Sequence, residues 1–241
     1  VEAQYQTAFS YNIYHDVLIW ESDIVRARIF EEAMGIAWEK SILEKPETGT
    51  YAGCTVVNIK DIKQVVSGLG DVESEAKVLI KSNGTSTYLA KDFAFHMWKF
   101  GYIPSRFKDV KFMEKQPNGK PLYSTAAEGE QKEFGNVDMA INVIGSAQRY
   151  PQLILKGIFT LLDKKKGVDS LVHLSYGEVG LKEGTLSGRK GGWIGKERNY
   201  TADDLLQEAI KKTKEIVERS GRAFAEGKAD EIERSVAVAA I

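Results

Sequence analysis

The sequence predicts an α/β protein organised on a parallel, doubly wound sheet, with a small α+β unit before it and helices after it. Three observations point there. The runs MAINVIG (139–145), LILKGIFTLLD and HLSYGEVGL (173–181) follow one another in strand–helix–strand order. That order feeds parallel pairing through a crossover helix. Upstream, residues 37–82 hold short β-branched runs, TVVNIK (55–60) and KVLIK (77–81), separated by Gly, Pro and Asn, the pattern of a mixed unit. Downstream, Leu206, Ile210, Thr213 and Val217 line one face of a helix over 202–219.

The elements follow in order. Residues 19–34 read as a helix. Trp20, Ile24, Ala27 and the Phe30/Met34 pair recur at helical spacing, and Gly35 is the expected stop. NGT (83–85) is a turn, DFAFHMWKFG (92–101) a short helix ending at Gly101, and KDVKFM (108–113) a strand. NGKP and AAEGEQKEFG mark exposed loops. MAINVIG ends in Gly145 and leads into a helix of about 15 residues. Thr201 is an N-cap with Asp203 and Asp204 in the first turn of the helix it opens. A further helix starts near Asp230 and runs through ERSVAVAAI. Its apolar side is still building at Ile241, and the chain begins with Val, so both ends read as truncation points.

Composition narrows the function classes. Apolar residues at 43% provide material for a core, so disorder is not expected. Thirty-three basic against 34 acidic residues give a net charge of −1, which excludes a protein that coats nucleic acid over its whole surface. Any RNA contact is local, and no DNA or membrane partner is expected. The single cysteine, Cys54, cannot form an intramolecular disulfide, as suits a reducing cytoplasm. No apolar run is long enough to cross a membrane, and no signal peptide opens the chain. The three histidines and Cys54 are too scattered to suggest a zinc site, and His15 and His96 read as core or surface residues.

The segment GTLSGRKGGWIG (184–195) is the most informative. Glycines at 184, 188, 191, 192 and 195 surround Ser187, Arg189 and Lys190, beyond a strand and before a helix. Glycine lets backbone amides approach a phosphate, and the cations offset its charge. A flexible basic surface loop has the same composition. The spacing is not that of a Walker A loop.

LSGRKG (186–191) resembles the arginyl-tRNA synthetase form of the class I KMSKS signature. WESD (20–23) is similar to part of that family's connective insertion. TYLAKDFAFHMWKFG (87–101) is similar to its TYLTRDIAYHLWKFG-like stretch, and INVIGSAQ (141–148) to its V-x-G-x-Q segment. HLSYGEVGL before the loop completes the set, which spans most of residues 14–200 in the family's order. SGRKG is similar to archaeal members. The resemblance implies a partial Rossmann-like core of a class I synthetase. Residues 1–82 would be the connective insertion, 83–200 the second half of the catalytic domain, and 201–241 a helical linker toward an anticodon-binding domain.

The resemblance also implies site roles. Tyr88, Asp92 and Gln148 would bind arginine. Tyr88 and Asp92 stand four apart, on one helical face. A carboxylate accepts two donors of a planar, permanently charged guanidinium at once, and a tyrosine supplies a wall or hydroxyl. Read without the resemblance, Asp92 is a helix cap. Gly145, His173, Tyr176, Gly177, Val179, Leu186 and Gly188 would border ATP, while Ser187, Arg189 and Lys190 would carry the chemistry on its phosphates. Magnesium would accompany ATP, with no tightly bound metal, and tRNA(Arg) would be the acceptor. His173 is not needed as a base. Two departures stand out. No H-x-G-H pattern occurs, and Thr185 and Gly188 replace both lysines of KMSKS. The isolated chain is therefore expected to be inactive or nearly so. The alternatives are another class I synthetase or a non-enzymatic RNA-binding relative.

Overall fold

The computed structural model describes residues 2–70, 74–177, 180–181, 184–185, 201–221 and 228–241. Its helices are α1 (Glu2–Ser10), α2 (Glu21–Arg26), α3 (Ile29–Glu39), α4 (Ile59–Val65), α5 (Tyr88–Lys99), α6 (Arg149–Leu161), α7 (Lys165–Asp169), α8 (Ala202–Ser220) and α9 (Ala229–Ala240). Its first six strands are β1 (Val17–Leu18), β2 (Leu43–Glu44), β3 (Thr55–Asn58), β4 (Ala76–Ile80), β5 (Lys108–Met113) and β6 (Leu122–Ala126). Four more follow: β7 (Ala140–Gly145), β8 (Leu171–Tyr176), β9 (Gly180–Leu181) and β10 (Gly184–Thr185). Two compact units emerge, one of residues 16–177 and one of residues 1–15 with 178–241.

The larger unit holds three sheets. β2, β3 and β4 form an antiparallel meander. β6 pairs with β1 in parallel and with β5 antiparallel. β7 and β8 pair in parallel along their full length, from Ala140 opposite Leu171 to Gly145 opposite Tyr176, with α6 and α7 between them in the chain. The expected strand–helix–strand unit is present. Its helix is amphipathic for a visible reason. Ile154, Leu155, Ile158 and Phe159 recur at helical spacing and are fully buried. They meet Phe93 and Met97 of α5, also fully buried, and the Phe93 and Phe159 rings lie 5.8 Å apart. Residues on both sides of position 82 share this core.

One face of the β7–β8 pair is covered and the other is not. Ala140 and Leu171 are buried on the α6 side, whereas Ile141, Val143, Leu174 and Tyr176 are each more than half exposed.

The smaller unit holds α1, α8, α9 and the antiparallel β9–β10 pair. Thr201 is the N-cap of α8, as the sequence predicts, and forms a full capping box with Asp204. Thr7 of α1 donates to the Asp203 carboxylate (2.9 Å), and the Tyr11 hydroxyl to the Ala202 carbonyl (2.6 Å). Arg234 of α9 reaches the Ser10 carbonyl (2.9 Å).

Four local expectations need correction. The helix over 19–34 is two helices, broken where Arg28 adopts a left-handed φ of 56°. Gly35 does not stop α3, which runs to Glu39. Burying Ile29, Ala33, Met34 and Ala37 outweighs the roughly 1 kcal/mol that an interior glycine costs. Residues 173–181 are not one strand: β8 ends at Tyr176, and β9 pairs with β10 instead. The helix expected over 92–101 begins at Tyr88, so Asp92 lies in its second turn and is not its cap.

Candidate functional site

Helix α5 is anchored before it begins. The Thr87 backbone N–H donates to Leu79 of β4 (2.7 Å) and its hydroxyl to the Val78 carbonyl (3.1 Å). The same hydroxyl receives the Ala90 N–H at 3.5 Å, the N-cap contact. Seven α5 residues are buried, among them Leu89, Phe93 and Met97. The helix is therefore held rigidly, and its polar stripe is carried with it.

That stripe runs Tyr88, Asp92, Phe95, Lys99, at spacings of four, three and four. Tyr88 is 76% exposed and projects its ring into solvent, with the Lys91 ammonium 5.6 Å from the ring centre. Lys91 is itself ion-paired with Glu21 of α2. Asp92 is half-buried. Its pKa is raised, chiefly by burial, and Glu21 adds to the rise while Lys99 opposes it. Lys99 lies 4.3 Å over the Phe95 ring, and burial lowers its pKa while Asp92 opposes the drop. A desolvated carboxylate beside an exposed aromatic ring is suited to a cation that brings its own donors.

The next turn of α5 connects this stripe to the sheet. His96 Nδ1 lies 2.7 Å from the Asp92 carbonyl oxygen, which can only accept, so Nδ1 carries the proton. His96 Nε2 is then an acceptor, 3.0 Å from Asn142 Nδ2 on β7. The other Asn142 N–H reaches Gln152 Oε1 on α6 at 2.8 Å. Burial, with Lys99 nearby, lowers the His96 pKa to about 4, so the ring is neutral at physiological pH. The expectation of a core or surface histidine is met by a buried one. Its connection to Asn142 and Gln152 was not anticipated. An asparagine on the covered face of MAINVIG was the available signal, since a buried amide must find partners.

Of the residues expected to border ATP, Gly145, Tyr176 and Gly177 lie at the carboxyl ends of β7 and β8, where open α/β sheets bind ligands. Gly145 and Tyr176 are paired across the ladder, and Gly177 follows directly. A side chain on Gly145 would touch the Tyr176 ring at 4.0 Å. Gln148 ends the short 3-10 turn Ser146–Gln148, partly exposed and making no cap bond to α6. His173 stands apart from this end. It lies mid-strand, its Nε2 3.0 Å from the Ile144 carbonyl oxygen, so that nitrogen donates across the ladder. With Arg149, Gln152, Lys156 and Ser175 it lines a cavity of about 310 Å³. Tyr176, three positions on, faces the opposite side of the sheet. An apolar cavity of about 560 Å³ lies beside the far end of α5, lined by Phe95, Trp98 and Lys99 but not by Tyr88 or Asp92. Val179, Leu186, Ser187, Gly188, Arg189 and Lys190 lie outside the described residues.

The chain is 39% identical over its whole length to an arginine–tRNA ligase of Pyrococcus furiosus. It is 34% identical over 99% of its length to an arginine–tRNA ligase of Thermus thermophilus. The chain is a relative of the arginine–tRNA ligases. It spans 36% of the Pyrococcus protein and 37% of the Thermus one, about a third of each. A solved arginyl-tRNA synthetase of Thermus thermophilus superposes with a TM-score of 0.75 at 30% identity, over 98% of this chain and 36% of that one. No family model matches. These relatives favour neither another class I synthetase nor a non-enzymatic RNA-binding protein.

Proposed function

We propose that the chain carries the arginine-reading part of an ATP-dependent arginine–tRNA ligase. The observation that carries this reading is the Tyr88–Asp92 pair on a helix locked into the core, with a carboxylate that is half desolvated. An arginine guanidinium would satisfy that carboxylate with two parallel N–H donors, while the Tyr88 ring covers its flat face. Gln148 would take the remaining polar end of the substrate. Gly145, His173, Tyr176, Gly177, Val179, Leu186 and Gly188 would border ATP, of which Gly145, Tyr176 and Gly177 stand together at the strand ends.

The chemistry follows from the position of charge. The arginine carboxylate attacks the α-phosphorus of ATP and pyrophosphate leaves. A terminal hydroxyl of tRNA(Arg) then attacks the adenylate carbonyl and AMP leaves. Such transfers need positioning and neutralisation of developing charge more than proton transfer. Arg189, Lys190 and Ser187 are assigned to the phosphates by their place in the LSGRKG segment. Magnesium would be held mainly by the nucleotide and water. The functional division is 1–82, 83–200 and 201–241, and the reaction is cytoplasmic. Among the described residues no helix is long and apolar enough to cross a membrane.

The test is an arginine titration by calorimetry, together with arginine-dependent ATP–pyrophosphate exchange by a full-length ligase carrying this sequence. Arginine should bind and lysine should not, and Asp92→Asn should raise the arginine KM by at least about a hundredfold, the scale of a lost charged hydrogen-bond pair. An unchanged KM in Asp92→Asn would remove the arginine reading. The chain by itself, lacking an H-x-G-H segment, is expected to show little or no exchange.

A further inference from the structure

We infer that His96, Asn142 and Gln152 form a positioning relay that sets the distance between the arginine-reading helix and the nucleotide-bearing strands. The inference rests on the reading of Tyr88 and Asp92 as the arginine site, and deepens it.

The geometry is directional. His96 Nδ1–H donates to the carbonyl of Asp92, the residue that would meet the guanidinium. His96 Nε2 accepts from Asn142 Nδ2, and Asn142 donates its second proton to Gln152 Oε1. Three elements, α5, β7 and α6, are thereby joined by side-chain hydrogen bonds inside the core. His96 is 2% exposed and Gln152 7%. Apolar packing alone tolerates small slides of a helix over a sheet, because it has no preferred direction. A chain of buried hydrogen bonds does not, since each member left without its partner is costly. The direction of the relay depends on a bare Nε2: a proton there would turn the contact to Asn142 Oδ1, 3.1 Å away, and reverse it.

Its consequence is selective. Gly145, Tyr176 and Gly177 all sit on β7 and β8 or directly after them, and that pair is held together by its own ladder. Tyr88 and Asp92 hang from α5. Loosening α5 against β7 therefore moves Tyr88 and Asp92 and leaves Gln148 and the nucleotide groups in register. His96, Asn142 and Gln152 are positioning residues in this sense and touch no substrate.

Two measurements test the relay. The first is long-range proton–nitrogen NMR on the chain, which reads the His96 tautomer. The proton is expected on Nδ1 with Nε2 bare. A proton on Nε2 would overturn the relay. The second is steady-state kinetics of a full-length ligase carrying this sequence. His96→Phe should raise the arginine KM about tenfold, the scale of one unsatisfied buried hydrogen bond, with the ATP KM unchanged. His96→Gln, which restores an acceptor near the Nε2 position, should recover most of the loss. If His96→Phe fails to fold, Gln152→Met keeps the shape, removes the last acceptor and should give a smaller shift of the same kind. Unchanged arginine KM values, or equal rises for arginine and ATP without rescue by Gln, would overturn the inference. Asp92→Asn run beside them separates the two readings. If it leaves arginine KM unchanged, the arginine site itself is wrong. If it raises KM while the relay variants do not, only the relay is wrong.

Discussion

Helix α5 and the β7–β8 pair carry the two halves of the candidate site, and they are built differently. Around α5 the chain is closed: one flank is buried, the N-terminus is tied to β4, and a polar stripe is the part left to solvent. The β7–β8 pair has one covered face and one bare face, where Ile141, Val143, Leu174 and Tyr176 are each more than half exposed. The difference shows where this chain is self-sufficient. The helix proposed to read arginine is finished by contacts within residues 16–177. The strands proposed to border the nucleotide are ordered by a ladder of backbone bonds but carry apolar side chains that stay more than half exposed.

The comparison breaks most easily at the core of α5. Phe93 is fully buried against Phe159, so Phe93→Ala is expected to destabilise the chain by about 3–5 kcal/mol in urea unfolding. A loss below about 1 kcal/mol would mean that α5 is not the closed half.

Acid is the next lever. Burial lowers the His96 pKa from its ordinary 6.5 to about 4. The folded state thus binds fewer protons than the unfolded chain between those values, and stability is lost as pH falls through that window. The expected loss between pH 7 and 4 from this group is roughly 3 kcal/mol. Unfolding measured across that range should show a slope that His96→Gln flattens.

Asp92 has the opposite sign. Its folded pKa is raised by burial, so its stability contribution is present at low pH and lost as pH rises through that pKa. Asp92→Asn is expected to raise the melting temperature at pH 7 by a few degrees and to have no such effect below pH 4, while abolishing arginine binding. Stabilisation that came with retained binding would separate the carboxylate from the site.

The smallest effect is expected on the bare face. Val143 is 62% exposed, so Val143→Thr should change the stability of this chain by less than about 0.5 kcal/mol. A loss above about 1.5 kcal/mol would show that the face is covered in solution.

Much of this architecture was legible in the chain. Strand β5 matches the run KDVKFM, and β7 the run MAINVIG to within one residue, because β-branched and apolar stretches bounded by turn residues leave few alternatives. Thr201 and Asp204 announced the start of α8 for an equally local reason: both partners of the capping box lie within four residues. Local signals misled where burial overruled them. Gly35 looked like a stop, yet α3 continues because its neighbours have a core to enter. Asp92 looked like a cap, but Thr87 had a second attachment on β4 and took that role.

The sequence by itself determined that Tyr88 and Asp92 share a face: they are four apart, and helical spacing puts them together wherever the helix lies. It equally determined the parallel β7–α6–β8 unit, since an apolar run ending in Gly145, a helix and a second strand follow in that order. Only the tertiary structure decided that Asp92 is half-desolvated, that His96 is neutral, and that Asn142 and Gln152 complete a relay between three elements. Those properties depend on partners 46 positions apart in the case of His96 and Asn142. A hydrogen bond over that separation exists only after the core has closed around it, and a pKa follows from the solvent that closure removes.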